Sequence, residues 1–300
     1  MLYIKGKDFD IEESAVTLGK FDGFHIGHRE LLRDVINENG LKSVVFTFDL
    51  NPHNLFSENE TKLIDTNAER ELLLQDTGLY CLIDYPFTKE TADTKPDAFV
   101  RDTLVNKLHV KKIVVGEDFR FGKGGKGDIR LLSELSGKYG FKLKVYKKLV
   151  CDGSVVSSTR IRSLIEKGDM EETEKLLGRP YTITGEIKHG NNIGHTVGMP
   201  TINQHPAQEK LLPPFGVYVS DTELDGRVYR GITNIGIKPT IGTETRPGAE
   251  TWLFDFNEDV YGHFARVRLH SFVRPEMKFD SLREVKEQVE IDAAKARQWH

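Results

Sequence analysis

The residues with the most chemical promise lie between Thr17 and His28, in the run TLGKFDGFHIGH. Glycine lets a backbone come close to a phosphate, and a helix start offers unpaired N–H groups at the positive end of its dipole. Gly19, Phe21 and Gly23 lead into two imidazoles three residues apart, His25 and His28, where a strand pattern gives way to a helix. Both can face a bound triphosphate and donate hydrogen bonds to charge building on its α-phosphate and on a departing pyrophosphate. Two surface histidines on an ordinary turn have the same spelling, so this run alone leaves both readings open.

The elements that must position these groups read as an alternation of short β-type runs and helical periods up to about Pro180. Ala15–Leu18, Ser43–Phe48, Leu79–Ile83, Lys112–Val115 and Lys142–Tyr146 predict strands. Thr66 with Glu69 at capping-box spacing predicts a helix start, and Pro96 opens a helical stretch through Leu108. Two short helices, one from near Thr159 and one after Asp169, close this half. A doubly wound α/β domain is expected.

Beyond Tyr181 the texture changes to β-branched and aromatic runs separated by Gly, Pro and Asn: Tyr181–Ile187, Gly216–Ser220, Tyr229–Ile235, Glu250–Phe256 and Ala265–Phe272. That pattern predicts an antiparallel β-barrel. Leu282, Val285 and Val289 recur at helical spacing, so a terminal helix should pack on it. The expected domains are residues 1–180 and 181–300.

A chain of 300 residues accommodates two such domains, and 38% hydrophobic with 29% charged residues is ordinary for a globular protein. The net charge of −4 gives no reason to expect a nucleic-acid partner. Two cysteines, Cys81 and Cys151, are too few for a disulfide framework and fit a reducing compartment. No run approaches the roughly 18 apolar residues of a membrane span, and the N-terminus lacks the apolar stretch of a secretory signal. No membrane association and a cytoplasmic location are expected.

His25-Ile26-Gly27-His28 resembles the signature shared by nucleotidyltransferases and class I aminoacyl-tRNA synthetases. About 130 residues on, Ser157-Ser158-Thr159-Arg160-Ile161-Arg162 resembles the Ser-Ser-Thr-x-x-Arg element of nucleotidyltransferases. The resemblance implies that Ser158, Thr159 and Arg162 hold the β- and γ-phosphates of ATP. A synthetase would carry a Lys-Met-Ser-Lys-Ser-type loop and an anticodon-binding region, and neither is found. Thr47-Phe48-Asp49-Leu50-Asn51-Pro52 and Val115-Gly116-Glu117-Asp118-Phe119-Arg120-Phe121-Gly122 look like the flavin adenylyltransferase branch, which puts Asn51 and Phe121 at the ligand. As bare residues, Asn51-Pro52 is a good turn and Phe119 and Phe121 suit a core. Gly122, Gly124 and Gly127 match G-x-G-x-x-G, but no strand runs directly into them and no clear helix follows, so a mobile loop is expected there.

In the second half, Gly198-Met199-Pro200-Thr201-Ile202-Asn203 resembles the Gly-x-Pro-Thr-x-Asn element of riboflavin kinases. By itself Pro-Thr-x-Asn reads as a turn. The resemblance implies that Gly198 lies at the nucleotide and that Thr201 and Asn203 lie at the magnesium of Mg-ATP; oxygen donors suit Mg²⁺. Phe215–Tyr218, Asn234–Thr240 and Asp259–Gly262 match the same family in order. Glu250, in the run between the last two, matches the family's base for the ribityl 5′-hydroxyl, a role a carboxylate can fill. Arg274, in Arg274–Phe279, matches a loop near the flavin. His195 stands where the family usually has arginine, and Met199 where it usually has phenylalanine.

Together these motifs resemble the bifunctional riboflavin kinase/FMN adenylyltransferase family over nearly the whole chain. The resemblance implies a Rossmann-like nucleotidyltransferase domain followed by a barrel kinase domain, with riboflavin, FMN, FAD and ATP as ligands and Mg²⁺ as cofactor. Loss of one activity, with the barrel kept as a flavin-binding or regulatory module, is the alternative.

Overall fold

The computed structural model describes residues 1–49, 54–55, 60–190, 199–239 and 245–299, with the backbone alone at 238, 239 and 245. Asn51, His195, Gly198 and Thr240 lie outside the described residues. The chain divides into two compact units, Met1–Ser158 and Thr159–His300.

The first unit contains β1 (Leu2–Lys5), β2 (Ser14–Leu18), α1 (Ile26–Ile36), β3 (Lys42–Phe48), α2 (Asn67–Gln75), β4 (Cys81–Tyr85), α3 (Lys89–Ala92), α4 (Pro96–Phe99), β5 (Val110–Gly116), α5 (Ile129–Tyr139), β6 (Lys142–Tyr146) and the small hairpin β7 (Val150–Cys151) and β8 (Ser154–Val155). Six parallel strands form one sheet in the order β1-β4-β3-β2-β5-β6. Its apolar strands are buried on both faces, as parallel sheets require. Val16, Val44, Ile83 and Ile113 join one core, and their neighbours Ala15, Val45, Leu82 and Val114 join the other. The chain steps from β2 through β3 to β4, then returns to the far side of β2 with β5. The crevice beyond the carboxyl ends of β2 and β5 is therefore a topological switch point, the usual ligand position in open α/β sheets.

Three expectations for this unit need correction. The stretch from Pro96 is not one α-helix: α4 runs into a π-helical segment, Val100–Val105, closed by i→i+5 bonds such as Asn106 N–H to Arg101 O at 3.0 Å. A clear helix, α5, does follow the glycine run, because the Asp128 carboxylate caps the N–H groups of Arg130 and Leu131 at 3.1 and 3.0 Å. The run itself is an ordered turn, stapled by reciprocal backbone bonds between Phe121 and Gly127 at 3.1 and 2.9 Å. The capping box at Thr66 and Glu69 is present in full.

In the second unit, α6 (Ser158–Lys167, whose first residue ends the first unit) and α7 (Met170–Leu177) precede β9 (Tyr181–Glu186), β10 (Thr201–Gln204), β11 (Gly216–Leu224), β12 (Arg227–Pro239), β13 (Thr245–Leu253), β14 (Phe264–Pro275) and α8 (Leu282–Gln298). The strands form an antiparallel sheet in the order β10-β13-β12-β11-β14-β9. Its two edges meet where Lys188 N–H bonds Asn203 O at 2.8 Å, closing the curve into a barrel-like shape. The inner face carries Ile202, Leu224 and Leu253, and a chain of hydroxyls in which Thr233 bonds both Ser220 and Thr251 at 2.8 Å. On the outer face Val217, Val219 and Ile232 pack under Ala293 and Ala296 of α8. The terminal helix is present and docks on this face through Val289, as its spacing suggested, with Ala293 and Ala296 continuing the contact one and two turns later, while Leu282 is exposed. Thr201–Gln204, expected as a turn, is an edge strand held by β13.

Candidate active sites

In the first unit, β2 ends at Leu18 and the chain turns through Gly19 to Phe24 before α1 begins. This turn is strained: Phe21 and Phe24 adopt φ of 48° and 34°, values that non-glycine residues rarely take. The strain is held by packing. The Phe21 ring is buried, lies 5.4 Å from that of Phe24, and meets His28 edge-on at 5.1 Å. Asp22 accepts the Ile64 N–H at 2.8 Å, and its carbonyl accepts the Ser158 hydroxyl at 2.7 Å. Gly23 takes φ +84°. Ser158, singled out as a phosphate ligand, thus spends its hydroxyl on the histidine loop within the first unit.

His25 caps α1: its Nδ1 accepts the His28 N–H at 3.3 Å. In the neutral ring the proton then resides on Nε2, leaving that nitrogen as a donor. The two imidazoles stack at 3.6 Å and 15°. A glycine at position 27 is what permits this, because a Cβ there would sit 3.3 Å from the His25 Cε1 and Nδ1. Burial pushes His25 down to about 4, and burial followed by the neighbouring His25 holds His28 well below the usual imidazole range. Both rings are therefore neutral donors at physiological pH. Because the folded values are depressed, the unfolded chain binds more protons between pH 6.5 and about 4, so these histidines favour folding fully above pH 6.5 and lose that contribution as pH falls. Imidazole NMR should show His25 as the Nε2–H tautomer down to about pH 4; a protonation midpoint near 6.5 would contradict the burial argument.

Phe121 is not an open ligand platform. Its ring is buried, stacks on Phe119 at 5.6 Å and belongs to the core. It still anchors the segment leaving β5, at the same switch point as the histidine loop. Thr159 and Arg162 follow on α6 in the second unit, exposed and half-buried respectively.

The second unit assembles its polar residues by register. Asn203 of β10 lies opposite Glu250 of β13, Glu250 opposite Asn234 of β12, Asn234 opposite Val217 of β11, and Val217 opposite Arg274 of β14. These residues share the outer face, and so does Thr201, two residues before Asn203. The Thr201 hydroxyl donates to Glu250 Oε1 at 3.0 Å. The Asn203 amide lies against Gly190, where a Cβ would fall 2.3 Å from Nδ2. A row of hydroxyl, amide and carboxylate oxygens thus continues the face whose other end is covered by α8. Met199 is buried, so its difference from the family's usual phenylalanine keeps the position apolar.

Arg274 is committed internally. It binds the fully buried Asp292 of α8 through Nε at 2.8 Å and donates to Pro275 O at 3.0 Å. Asn234 had no role assigned from sequence; only strand register places it beside Glu250. Among the described residues no cluster of three His, Cys, Asp or Glu side chains is arranged to hold a metal, so any divalent cation here would rest on mixed oxygen donors and phosphate.

The family model for FAD synthetase matches residues 8–160, and that for riboflavin kinase matches residues 177–300. The bifunctional riboflavin kinase/FMN adenylyltransferase of Bacillus subtilis is 36% identical over 292 residues, covering 95% of this chain and 92% of that protein. The proteins of the same name from Haemophilus influenzae and Escherichia coli are 33% and 34% identical, each over 96% of this chain and 94% or 93% of their own. A solved structure of a macrolide-efflux protein from Streptococcus pneumoniae is 31% identical and superposes with a TM-score of 0.88 over the whole of both chains. Among the described residues of this chain no helix is long and apolar enough to cross a membrane. With both family models matched in order, and relatives of one name aligned almost end to end, this chain belongs to the bifunctional riboflavin kinase/FMN adenylyltransferase family.

Proposed function

We propose that residues 181–300 phosphorylate riboflavin to FMN with Mg-ATP, and that residues 1–180 adenylylate FMN to FAD with release of pyrophosphate. The carrying observation is that the stacked histidine pair lies inside the stretch that matches the FAD synthetase model and the Thr201, Asn203 and Glu250 row inside the stretch that matches the riboflavin kinase model. In the first, an FMN phosphate oxygen attacks the α-phosphorus of ATP and pyrophosphate departs. The neutral N–H donors of the histidine pair stabilise the charge that develops. Gly19 and Gly23 keep the loop close to the phosphates, and Ser158 through its backbone N–H, with Thr159 and Arg162, binds the β- and γ-phosphates at the start of α6. Asn51 and Phe121 border the flavin side, Phe121 through the segment it anchors.

In the second, the ribityl 5′-hydroxyl oxygen attacks the γ-phosphorus, Glu250 accepts the hydroxyl proton, and ADP leaves. The Thr201 hydroxyl, hydrogen-bonded to Glu250, and the Asn203 amide fit Mg²⁺ in donor chemistry, and Gly198 approaches the nucleotide. Bound there, the cation would neutralise charge on the phosphates. Arg274, tied to Asp292, contributes to the flavin side by fixing the strand end. No nucleic acid or membrane is part of this reading, and its place is the cytoplasm. Riboflavin, ATP and Mg²⁺ given to the purified chain should yield FAD by chromatography; accumulation of FMN alone would remove the adenylyltransferase half of the proposal.

Modularity can be tested by truncation. A fragment from Gly178 keeps every strand of the barrel but discards α7, whose Met170, Leu176 and Leu177 are buried and whose Glu174 carboxylate lies 3.5 Å from His270. A fragment from Thr159 retains it. Both should phosphorylate riboflavin, and the longer should melt more than about 5 °C higher, since losing a few buried side chains costs several kcal/mol. Equal melting temperatures would show that α7 adds nothing to the barrel.

A further inference from the structure

We infer that Gln204 is a positioning residue for Mg-ATP in riboflavin phosphorylation, tying β10 across the seam of the barrel so that Thr201 and Asn203 keep their place on the outer face. The inference rests on the kinase reading of this unit and deepens it. β10 is short and stands at the edge of the sheet: four residues, Thr201–Gln204, paired in register with β13. So short an edge strand specifies its register weakly, and a slip of one residue would turn Thr201 and Asn203 into the barrel.

Two ties cross the seam, at consecutive residues. The backbone tie is the bond from Lys188 N–H to Asn203 O at 2.8 Å. The side-chain tie is Gln204, which lies on the inner face two residues from Ile202 and is only 1% exposed. Its Nε2 donates to Gly185 O of β9 at 2.8 Å and to Ala265 O of β14 at 2.9 Å, so one amide joins β10 to two strands on the far side of the seam. Gly185 and Ala265 stand directly opposite one another in the β9–β14 register, which makes their carbonyls a fixed double target. Only the NH₂ end of the amide can donate to both, so the orientation of the side chain is set.

The consequence reaches the outer face because side chains alternate along a strand. With Gln204 held inward, Thr201 and Asn203 are held outward, opposite Trp252 and Glu250 of β13. Glu250 does not depend on this tie, since β13 is paired on both sides, by β10 and by β12. Loss of the tie therefore weakens the nucleotide side and spares the flavin side. When only a fraction of molecules holds β10 in register, the apparent affinity for Mg-ATP falls by that fraction, while bound Mg-ATP selects the register and leaves turnover at saturation close to parent.

The experiment uses the full chain as parent, Gln204→Met and Gln204→Glu, and measures riboflavin phosphorylation, FMN adenylylation, Mg-ADP binding by calorimetry, and amide hydrogen exchange at Lys188. Methionine keeps the length and the burial without a donor, and glutamate sets carboxylate oxygens against two carbonyls. In the parent the Lys188 amide should be protected about a hundredfold or more over a free peptide, and Gln204→Met should lose about tenfold of that protection. KM for Mg-ATP and Kd for Mg-ADP should both rise about tenfold in Gln204→Met, as loss of one net hydrogen bond does, with KM for riboflavin, saturated kcat and FMN adenylylation within about twofold of parent. Gln204→Glu should be affected more than Gln204→Met. A parent that does not turn over riboflavin removes the kinase reading and the inference with it, whereas parent turnover with a parent-like Gln204→Met removes the inference alone. A variant that loses kcat with both KM values unchanged has lost folded molecules rather than strand register, and this too overturns the inference. So does a Lys188 amide that exchanges like a free peptide in the parent, a measurement that needs no variant.

Discussion

Glu250→Gln should abolish conversion of riboflavin to FMN while FMN supplied directly is still turned into FAD. Glu250 is half-buried at the centre of the outer-face row, accepts the Thr201 hydroxyl at 3.0 Å, and is flanked in register by Asn203 and Asn234. Glutamine preserves the shape and one acceptor oxygen, so the Thr201 contact and the strand pairing survive. What it cannot do is take the proton of the attacking hydroxyl. General-base catalysis contributes about 10²- to 10⁴-fold, and the loss should appear in turnover with riboflavin binding, followed by flavin fluorescence, little changed. Near-parent phosphorylation by the variant would reduce Glu250 to a structural partner of Thr201 and would remove the base from the mechanism.

The second large effect is expected at the other site. His28→Ala should stop FMN adenylylation and leave FMN formation from riboflavin intact. His28 stacks on His25, meets Phe21 edge-on, and supplies the backbone N–H that His25 caps. The N–H survives substitution, so the helix start should form, but the imidazole donor is gone. Removal of one preorganised donor costs about 10²- to 10³-fold in rate. His28→Asn, which retains a side-chain N–H, should recover part of that loss. If both activities fell equally in His28→Ala, the two sites would not be separate, and if neither fell, the histidine pair would be a packing motif at a strained turn.

Much of this was legible because local chemistry and tertiary demand agree. Periodicity exposes the parallel strands as continuous apolar runs, since both faces of that sheet are covered. The Thr66–Glu69 box and the Asp169 cap were readable because capping is satisfied within a few residues. Reading failed where neighbours outside the window decide. Thr201–Gln204 spells a turn, yet β13 supplies partners for its backbone and makes it a strand. The glycine run before Asp128 hid a capped helix, and its apparent freedom is removed by two backbone bonds to Phe121. The terminal helix docks through Val289, which its spacing exposed, and through Ala293 and Ala296, small residues that an apolar-stripe search passes over in favour of the exposed Leu282.

For the chemistry the division is sharper. The amino-acid order by itself determined the family and the order of its two parts, because those are properties of motifs and their succession along one chain. The tertiary structure alone decided which of those residues face one another and in what state. The histidines are neutral because burial disfavours their charge, which no spacing reveals. Ser158 spends its hydroxyl on the Asp22 carbonyl, and Arg274 its guanidinium on Asp292, because partners 136 and 18 residues away arrive only when the chain folds. Glu250 meets Asn203 and Asn234 through strand register, and a register set by pairing across three strands is a long-range property that no short window of sequence contains.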